Sequence, residues 1–400
     1  MIKKCLSSIL AAAMLMLTLV SCHRQGEIAL TVDGMPIPAA LYLYFLISAD
    51  SQVRYTLSEP DSQGQATVQL PSRTSELAKM IFNGETFYSA VKTSALNAAR
   101  QYVTTIRKCE EYGVTLSDEE KSTASLYAEY YWNYYGYEVQ FGDNGVSLST
   151  LTLAMENSLL SEALDKKLFD KDGLKAASET EVKAFLEENY AIANTITMDL
   201  TGTETDEETG SIIPLTDEQK AAKKASLEKY MTRLNKGEDF IKVKEDYDKE
   251  FPPPVDETEE PEDTNENDET PPEETPSEEE TPSEEESEDE TPKPQDENAV
   301  EFKSSKVSET ETEGFTLLKE VEVGKAEILE LSNRYMLVLR KDILADPYYY
   351  DQYYFSISKN LKAPDFLNDF NTFSEDLKVT EHKYVTGYLS AKKFKYPSGS

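Results

Sequence analysis

Few side chains of this 400-residue chain are suited to acid–base, nucleophilic or metal chemistry. It has two histidines, His23 and His382, and three cysteines, Cys5, Cys22 and Cys109. They do not show the spacing of a zinc site, and the chain has no phosphate-binding glycine loop and no G-x-S-x-G elbow. With 76 Asp and Glu residues, two carboxylates near each other in sequence indicate nothing. The sequence therefore predicts no catalytic residue, no metal and no cofactor.

Cys22 is the one residue whose surroundings indicate a chemistry. Lys3 and Lys4 precede a largely apolar run from Ile9 to Val20, which is too short to span a bilayer and is typical of a secretory signal. The run ends in Leu-Val-Ser-Cys, which resembles a bacterial lipobox and implies cleavage before Cys22 and lipid on its thiol. The expected location is the bacterial cell membrane, with the lipid-anchored chain facing outside the cytoplasm. An ordinary signal peptide with a chance cysteine is the alternative.

The negative charge of the chain is concentrated in one tract. The formal net charge is −36, and residues 255–298 contain 22 Asp and Glu against Lys293 alone, so this tract carries −21 and the rest −15. Low hydrophobicity and like-charge repulsion predict that the tract is disordered. A role in binding nucleic acid is excluded, because phosphate contacts require clustered Lys and Arg.

The first half of the chain has the pattern of a helical module. Three capping boxes mark helix starts, at Ser117 with Glu120, Ser178 with Glu181 and Thr216 with Gln219. A long helix is predicted from about Thr86 to Tyr112, ending at Gly113. Cys109 lies on the apolar stripe of that helix and is predicted to be a buried structural thiol. Residues 51–75 are polar and are predicted to form an irregular loop.

One predicted helix is unusually aromatic. Between Ser117 and Tyr135 it carries Tyr127, Tyr130, Tyr131, Trp132, Tyr134 and Tyr135. The pattern favours packing of these rings between helices. The alternative is a peptide-binding surface, to which tyrosines supply contact area at small entropic cost.

The middle of the chain contains a strand and two helices. Residues 191–200 have the β-branched content of a strand. After Thr216 an apolar stripe at helical spacing ends at Gly237, and Phe240 starts a second, shorter stripe. The text LNKGEDFIKVKEDY resembles the first helices of a parvulin-type prolyl isomerase domain. The stretch FTLLKEVEVGKAEILELSNRYMLVLRKDI resembles the end of one, with Gly324 before two closing strands.

The two ends of the mature chain carry a related resemblance. Behind the lipobox, IALTVDGMPIPAALYLYFL resembles the opening of the PrsA and SurA group of exported foldases, with a strand, an Asp-Gly turn, a strand and a helix. Near the other end, KAPDFLNDFNTFSEDLKV resembles the C-terminal helix that folds back onto the N-terminal module in that group.

These observations together predict an α+β chain. The expected organisation is a signal peptide at 1–21, a mainly α-helical SurA/PrsA-like chaperone module at 22–190, a small parvulin-like antiparallel-sheet domain at 191–345 that is interrupted by a disordered acidic insert at 252–298, and C-terminal helices at 346–400 that pack back on the helical module.

The resemblance to parvulins also implies which of their catalytic groups this sequence lacks. Parvulins use an apolar cup for the proline ring beside two His and a Cys or Asp. Here Thr195 to Met198 and Asn333 to Met336 stand at the two His positions, and the acidic tract replaces the glycine-rich stretch with the Cys or Asp. His23 and His382 lie outside the domain. Met336 and Phe302 are the candidate peptide-binding residues of the remaining cup.

The sequence predicts a membrane-anchored extracytoplasmic chaperone or foldase with little or no prolyl isomerase activity. Its partners would be unfolded or folding exported polypeptides, and the membrane through the lipid. Two alternatives stay open. One is an active peptidyl-prolyl cis-trans isomerase with an atypical site, and the other is a structural or adhesive cell-envelope lipoprotein.

The anchor gives a direct prediction. We expect Cys22→Ser to leave a protein without lipid, which is either released or left unprocessed, because the thiol is the site of attachment. Mass spectrometry of the N-terminal peptide checks this. A parent protein without lipid on Cys22, or one whose processing is insensitive to globomycin, would contradict the assignment.

Overall fold

The computed structural model describes residues 27–59, 67–71, 74–202, 209, 211–252, 293–308 and 310–395. These residues form α-helices and antiparallel sheets, so the predicted α+β class is confirmed. The signal segment, Cys22 and the acidic residues 253–292 lie outside the described residues.

The chain divides into two compact units, residues 1–177 with 355–400, and residues 178–354. The first boundary therefore lies between Ala177 and Ser178. The sequence analysis had placed this boundary after residue 190. The second boundary lies between Tyr354 and Phe355, inside a helix. The sequence analysis had placed this boundary after residue 345. The C-terminal segment from residue 355 onward belongs to the first unit.

The first unit combines short strands with long helices. Its elements in chain order are β1 (Ile28–Val32), β2 (Met35–Pro38), α1 (Ala39–Leu57), α2 (Thr74–Leu77), β3 (Ile81–Phe82), β4 (Glu85–Thr86), α3 (Phe87–Tyr112), α4 (Asp118–Tyr134), α5 (Tyr137–Gln140) and α6 (Leu148–Phe169). Helix α1 runs through Leu57, so the loop predicted from residue 51 starts later than expected. The capping box of Ser117 and Glu120 is present and starts α4 as predicted.

The N-terminal strand of the first unit pairs with a strand near the C-terminus. Strands β2, β1 and β9 (Val379–Glu381) form a three-stranded antiparallel sheet in that order, with Leu30 opposite Glu381. The predicted Asp33-Gly34 turn joins β1 to β2, with both residues at positive φ. The short strand β9 was not predicted, because three residues give no periodicity to recognise.

A stripe of small and apolar side chains forms the core of the first unit. On α3 the fully buried residues Phe87, Val91, Ala95, Ala99 and Val103 recur every four residues, which places them on one helical face. Farther along α3, Cys109 is buried and its thiol donates a weak hydrogen bond to the carbonyl of Leu160 at 3.5 Å. Burial raises the pKa of the Cys109 thiol to about 11, which agrees with a structural role.

The second unit is a four-stranded sheet with helices. Its elements are α7 (Glu179–Asn189), β5 (Tyr190–Asp199), α8 (Asp217–Asn235), α9 (Phe240–Glu250), β6 (Ala299–Lys303), α10 (Phe315–Glu320), β7 (Ala326–Glu330) and β8 (Arg334–Lys341). All neighbouring strands are antiparallel, in the order β6-β5-β8-β7. The predicted capping boxes start α7 and α8, and Gly237 adopts positive φ between α8 and α9.

Apolar side chains cover both faces of this sheet. On one face Ile196, Met198 and Leu337 pack with buried residues of α8 and α9, among them Leu227 and Val243. On the other face the strands pack with α10 and the residues that follow it, in a cluster of Ala191, Ala193, Phe302, Phe315, Leu318, Val321, Leu329, Met336 and Val338. Segments 190–250 and 299–341 therefore build one four-stranded domain from sequence that the acidic tract separates.

Tyr348 to Leu361 and Phe366 to Leu377 carry two apolar stripes at helical spacing, but the structure has one continuous helix there, α11 (Pro347–Asp376), which contains Pro364. Ala363 and Phe366 are buried on either side of the proline. Their packing holds the helix together at a residue that cannot donate a backbone hydrogen bond. The short helix α12 (Lys383–Thr386) follows β9.

The described part of the expected insert, residues 293–298, makes specific contacts within the second unit. The Asn194 side-chain amide donates to Asp296 Oδ2 at 3.0 Å, and Lys341 Nζ lies 3.1 Å from the same oxygen. Although burial acts to raise it, these hydrogen bonds hold the pKa of Asp296 below its usual range. Residues 293–298, which were predicted to belong to the disordered insert, therefore include an acceptor for the buried amide of Asn194 on β5.

The hydrogen bond between Asn194 and Asp296 predicts that Asp296→Ala lowers the free energy of unfolding. Asn194 is 1% exposed, and its Oδ1 has no hydrogen-bond partner within the described ranges, so Asp296→Ala would leave the whole buried amide unsatisfied. Because Asp296 is 35% exposed, we expect a loss of only about 1 kcal/mol in the free energy of unfolding, or about 2–6 °C in Tm. Thermal unfolding of the mature chain measures it. The exposed neighbour Glu297→Ala is the control, and equal Tm values for the two variants would contradict the assignment.

Candidate functional site

The two segments that the resemblance to a parvulin domain selected, residues 195–198 and 333–336, lie side by side in the sheet. Strands β5 and β8 pair so that Thr197 is opposite Met336 and Met198 is opposite Tyr335. The positions that the resemblance selected are therefore neighbours on the two central strands. Sequence alone could not give this register, because the strands are more than 130 residues apart.

The side chains at these positions include no imidazole and no thiol. Residues 178–354 contain no His and no Cys. Thr195, Thr197 and Met336 share one face of the sheet by the alternation of side chains along paired strands. A threonine hydroxyl does not titrate near neutral pH, and a thioether is at most a weak acceptor. Thr195, Thr197 and Met336 therefore offer no group for general acid–base chemistry on this face of the sheet.

The two predicted peptide-binding residues come together in the core of the second unit. Met336 is 7% exposed and Phe302 is 2% exposed, and both belong to the cluster beneath α10 that includes Phe315 and Leu318. Their apolar surface is already occupied by other side chains of the unit. A peptide would reach either residue only after α10 moved.

The aromatic helix α4 presents its rings to solvent. Leu126, Tyr127, Tyr130, Tyr134 and Tyr135 are each 50–77% exposed, and these five residues are called the tyrosine surface below. The sequence favoured packing of the rings between helices, and for these residues that interpretation is wrong. The contacts of α4 with the rest of the unit are made mainly with α6, and its fully buried residues are Ala124 and Ala128.

The exposed rings of Tyr130, Tyr134 and Tyr135 contact one another or their neighbours and join a continuous series of ring contacts. The series runs from the surface to the interior, with centroids 4.9–6.0 Å apart, in the order Tyr134, Tyr130, Tyr131, Tyr137, Phe141 and Tyr44. Phe141 is 4% exposed and anchors the series among buried residues of the unit. Rings fixed in this way lose little conformational freedom when another molecule packs on them.

A charged cleft between α8 and α9 has a structural explanation. Arg233 donates two hydrogen bonds of 2.7 Å to the Glu238 carboxylate and a third of 2.8 Å to Asp246. The hydrogen bonds from Arg233 lower the pKa of Glu238 to about 2. The network joins the two helices across the Gly237 turn, and every charge in it is paired.

Neither a metal site nor a membrane-spanning helix gives a second candidate in the described part of the chain. Among the described residues no group of His, Cys, Asp and Glu could hold a metal ion, and no helix is long and apolar enough to cross a membrane. No protein-family model matches the chain, and no curated protein matches it in sequence. The tyrosine surface is therefore the site from which we infer function.

Proposed function

We propose that this protein is a lipid-anchored extracytoplasmic chaperone that holds unfolded exported polypeptides and has little or no prolyl isomerase activity. The observation that carries the proposal is the exposure of Leu126, Tyr127, Tyr130, Tyr134 and Tyr135 on one surface. Aromatic residues exposed together mark interaction sites more often than isolated ones do.

The chemistry of the tyrosine surface suits a client without a fixed sequence. A tyrosine ring packs against any apolar side chain and its hydroxyl hydrogen-bonds to any backbone, so contact does not depend on one client residue. Because the rings are supported by their neighbours, binding costs little side-chain entropy. Broad, weakly selective binding of extended chains is the activity that such a surface favours.

The second unit supports the part of the proposal that concerns little or no prolyl isomerase activity. Prolyl isomerisation crosses an amide rotation barrier of about 18–20 kcal/mol, and an enzyme must bind the twisted amide better than the planar one. At the expected position the sheet offers Thr197 and Met336, and the apolar cup is filled by residues of α10 and its neighbours.

Further support comes from the order of elements. Strand β5, helices α8 and α9, and the closing strands β7 and β8 follow one another as the resemblance to a parvulin domain predicts, and they form one sheet with β6. The Leu-Val-Ser-Cys sequence ending at Cys22 supports a lipid anchor at the cell membrane. An anchored chaperone would meet exported chains as they emerge.

A structural or adhesive lipoprotein is the competing function. The two are separated by whether unfolded clients use the tyrosine surface. We expect the mature protein to slow aggregation of a chemically unfolded client, and Tyr130→Ser/Tyr134→Ser to reduce that protection about tenfold, because truncation of well-placed interface aromatics removes about 1–2 kcal/mol or more. Both side chains are half-exposed or more, so folding is expected to be unaffected.

The chain provides a matched control. Tyr384 and Tyr388 are a second pair of exposed, contacting tyrosines in the same unit, 69% and 50% exposed, and they lie outside the tyrosine surface. Tyr384→Ser/Tyr388→Ser is expected to protect clients as well as the parent does. Light scattering during client aggregation measures all three proteins. Equal protection by both double variants, or no protection by the parent, would refute the proposal.

A further inference from the structure

The tyrosine surface lies in an acidic part of the chain. Residues 118–144 contain six Asp and Glu and one base, Lys121. Lys121 lies 3.7 Å from Asp118, so the only base of this segment is already paired. The segment therefore carries an excess of five negative charges, of which that of Glu120 is partly offset by Lys166 on α6.

Four of these carboxylates have no ion-pair partner within the described ranges. They are exposed on α4, on α5 and in the turn that follows: Glu119, Glu129, Glu138 and Asp143. Glu129 is three residues after Leu126 and directly precedes Tyr130, and Glu138 follows Tyr134 by four residues. At helical spacing Glu129 therefore borders the tyrosine surface beside Leu126. Glu138 lies beyond the end of α4, on α5, after the left-handed residue Gly136.

Cations lie over several other rings of the first unit. Lys108 lies 4.9 Å from the ring centre of Phe373, and Lys392 lies 5.3 Å from that of Tyr88. In the described part of the chain, no Lys or Arg lies over a ring of the tyrosine surface. Its aromatic faces are therefore open to a cation from another molecule.

We propose that the tyrosine surface selects client segments that carry Lys or Arg beside apolar residues. This inference rests on the proposed function, since it names the class of client for the same site. A cation over a tyrosine ring is attracted by the negative face of the ring, and the unpaired carboxylates beside it add to that attraction. The aliphatic stem of the same side chain covers apolar surface.

Client segments with negative charge are disfavoured at the tyrosine surface for the same reasons. An acidic client segment meets exposed carboxylates of the same sign, and its carboxylates gain nothing from the face of an aromatic ring. The surface therefore discriminates by repulsion as well as attraction, although neither term requires a defined sequence.

The test compares two unfolded fluorescent peptides that differ only in charge. The first has Lys at several positions among apolar residues, and the second has Gln at those positions. We expect the mature protein to bind the Lys peptide about three- to tenfold more tightly in low salt, measured by fluorescence anisotropy, and the difference to shrink as NaCl is raised. Glu129→Gln/Glu138→Gln is expected to lower the affinity for the Lys peptide and to leave that for the Gln peptide unchanged.

A charge-matched control uses carboxylates of the second unit. Glu297→Gln/Glu322→Gln removes the same number of exposed charges and is expected to leave the preference intact. Equal affinities for the two peptides, both weakened by Tyr130→Ser/Tyr134→Ser, would overturn the charge preference and leave the chaperone proposal standing. Affinities that do not respond to the tyrosine substitutions would overturn the proposed function itself.

Discussion

The packing of α4 against α6 through small residues is the constraint on which the proposed activity depends. Ala124 and Ala128 are fully buried, so the backbone of α4 lies close to the unit at these points. The residues on the far side of the helix then have no place in the core, and these are Leu126, Tyr130 and Tyr134. A larger residue at either alanine position would push α4 outward and disturb the ring contacts that support the surface. The side of α4 that carries the two alanines is therefore buried, and its aromatic side faces solvent.

The second unit is stabilised by packing on both faces of its sheet. Strand β5 pairs with β6 on one side and β8 on the other, and helices cover both faces of the resulting sheet. The stability of such a domain comes from apolar burial, which needs no histidine. Met336 and Phe302 contribute to that burial beneath α10. In the proposed account, the unit is retained for its structure, while client contact is made by the tyrosine surface of the first unit.

The sequence predicted those features that depend on neighbouring residues. All three capping boxes, the end of α3 at Gly113 and the positive φ of Gly237 follow from local hydrogen bonding and backbone sterics. The features it missed depend on distant residues. Strand β9 exists because β1 offers it an edge, Asp296 is ordered because Asn194 requires an acceptor, and α11 continues through Pro364 because flanking side chains are buried. The sequence analysis placed the tyrosines between helices for a related reason. The aromatic content of a helix does not indicate which of its sides packs against the neighbouring helix.

The most direct test of the central claim is the rate of prolyl isomerisation in a protease-coupled assay on an Ala-Pro peptide. The account predicts that the mature protein leaves the rate at its uncatalysed value, with a relaxation time of tens to hundreds of seconds, under conditions in which it protects an unfolded client. Acceleration of many-fold, rising in proportion to protein concentration, would contradict it. Such a result would mean that the sheet face carrying Thr197 and Met336 opens to bind a twisted amide.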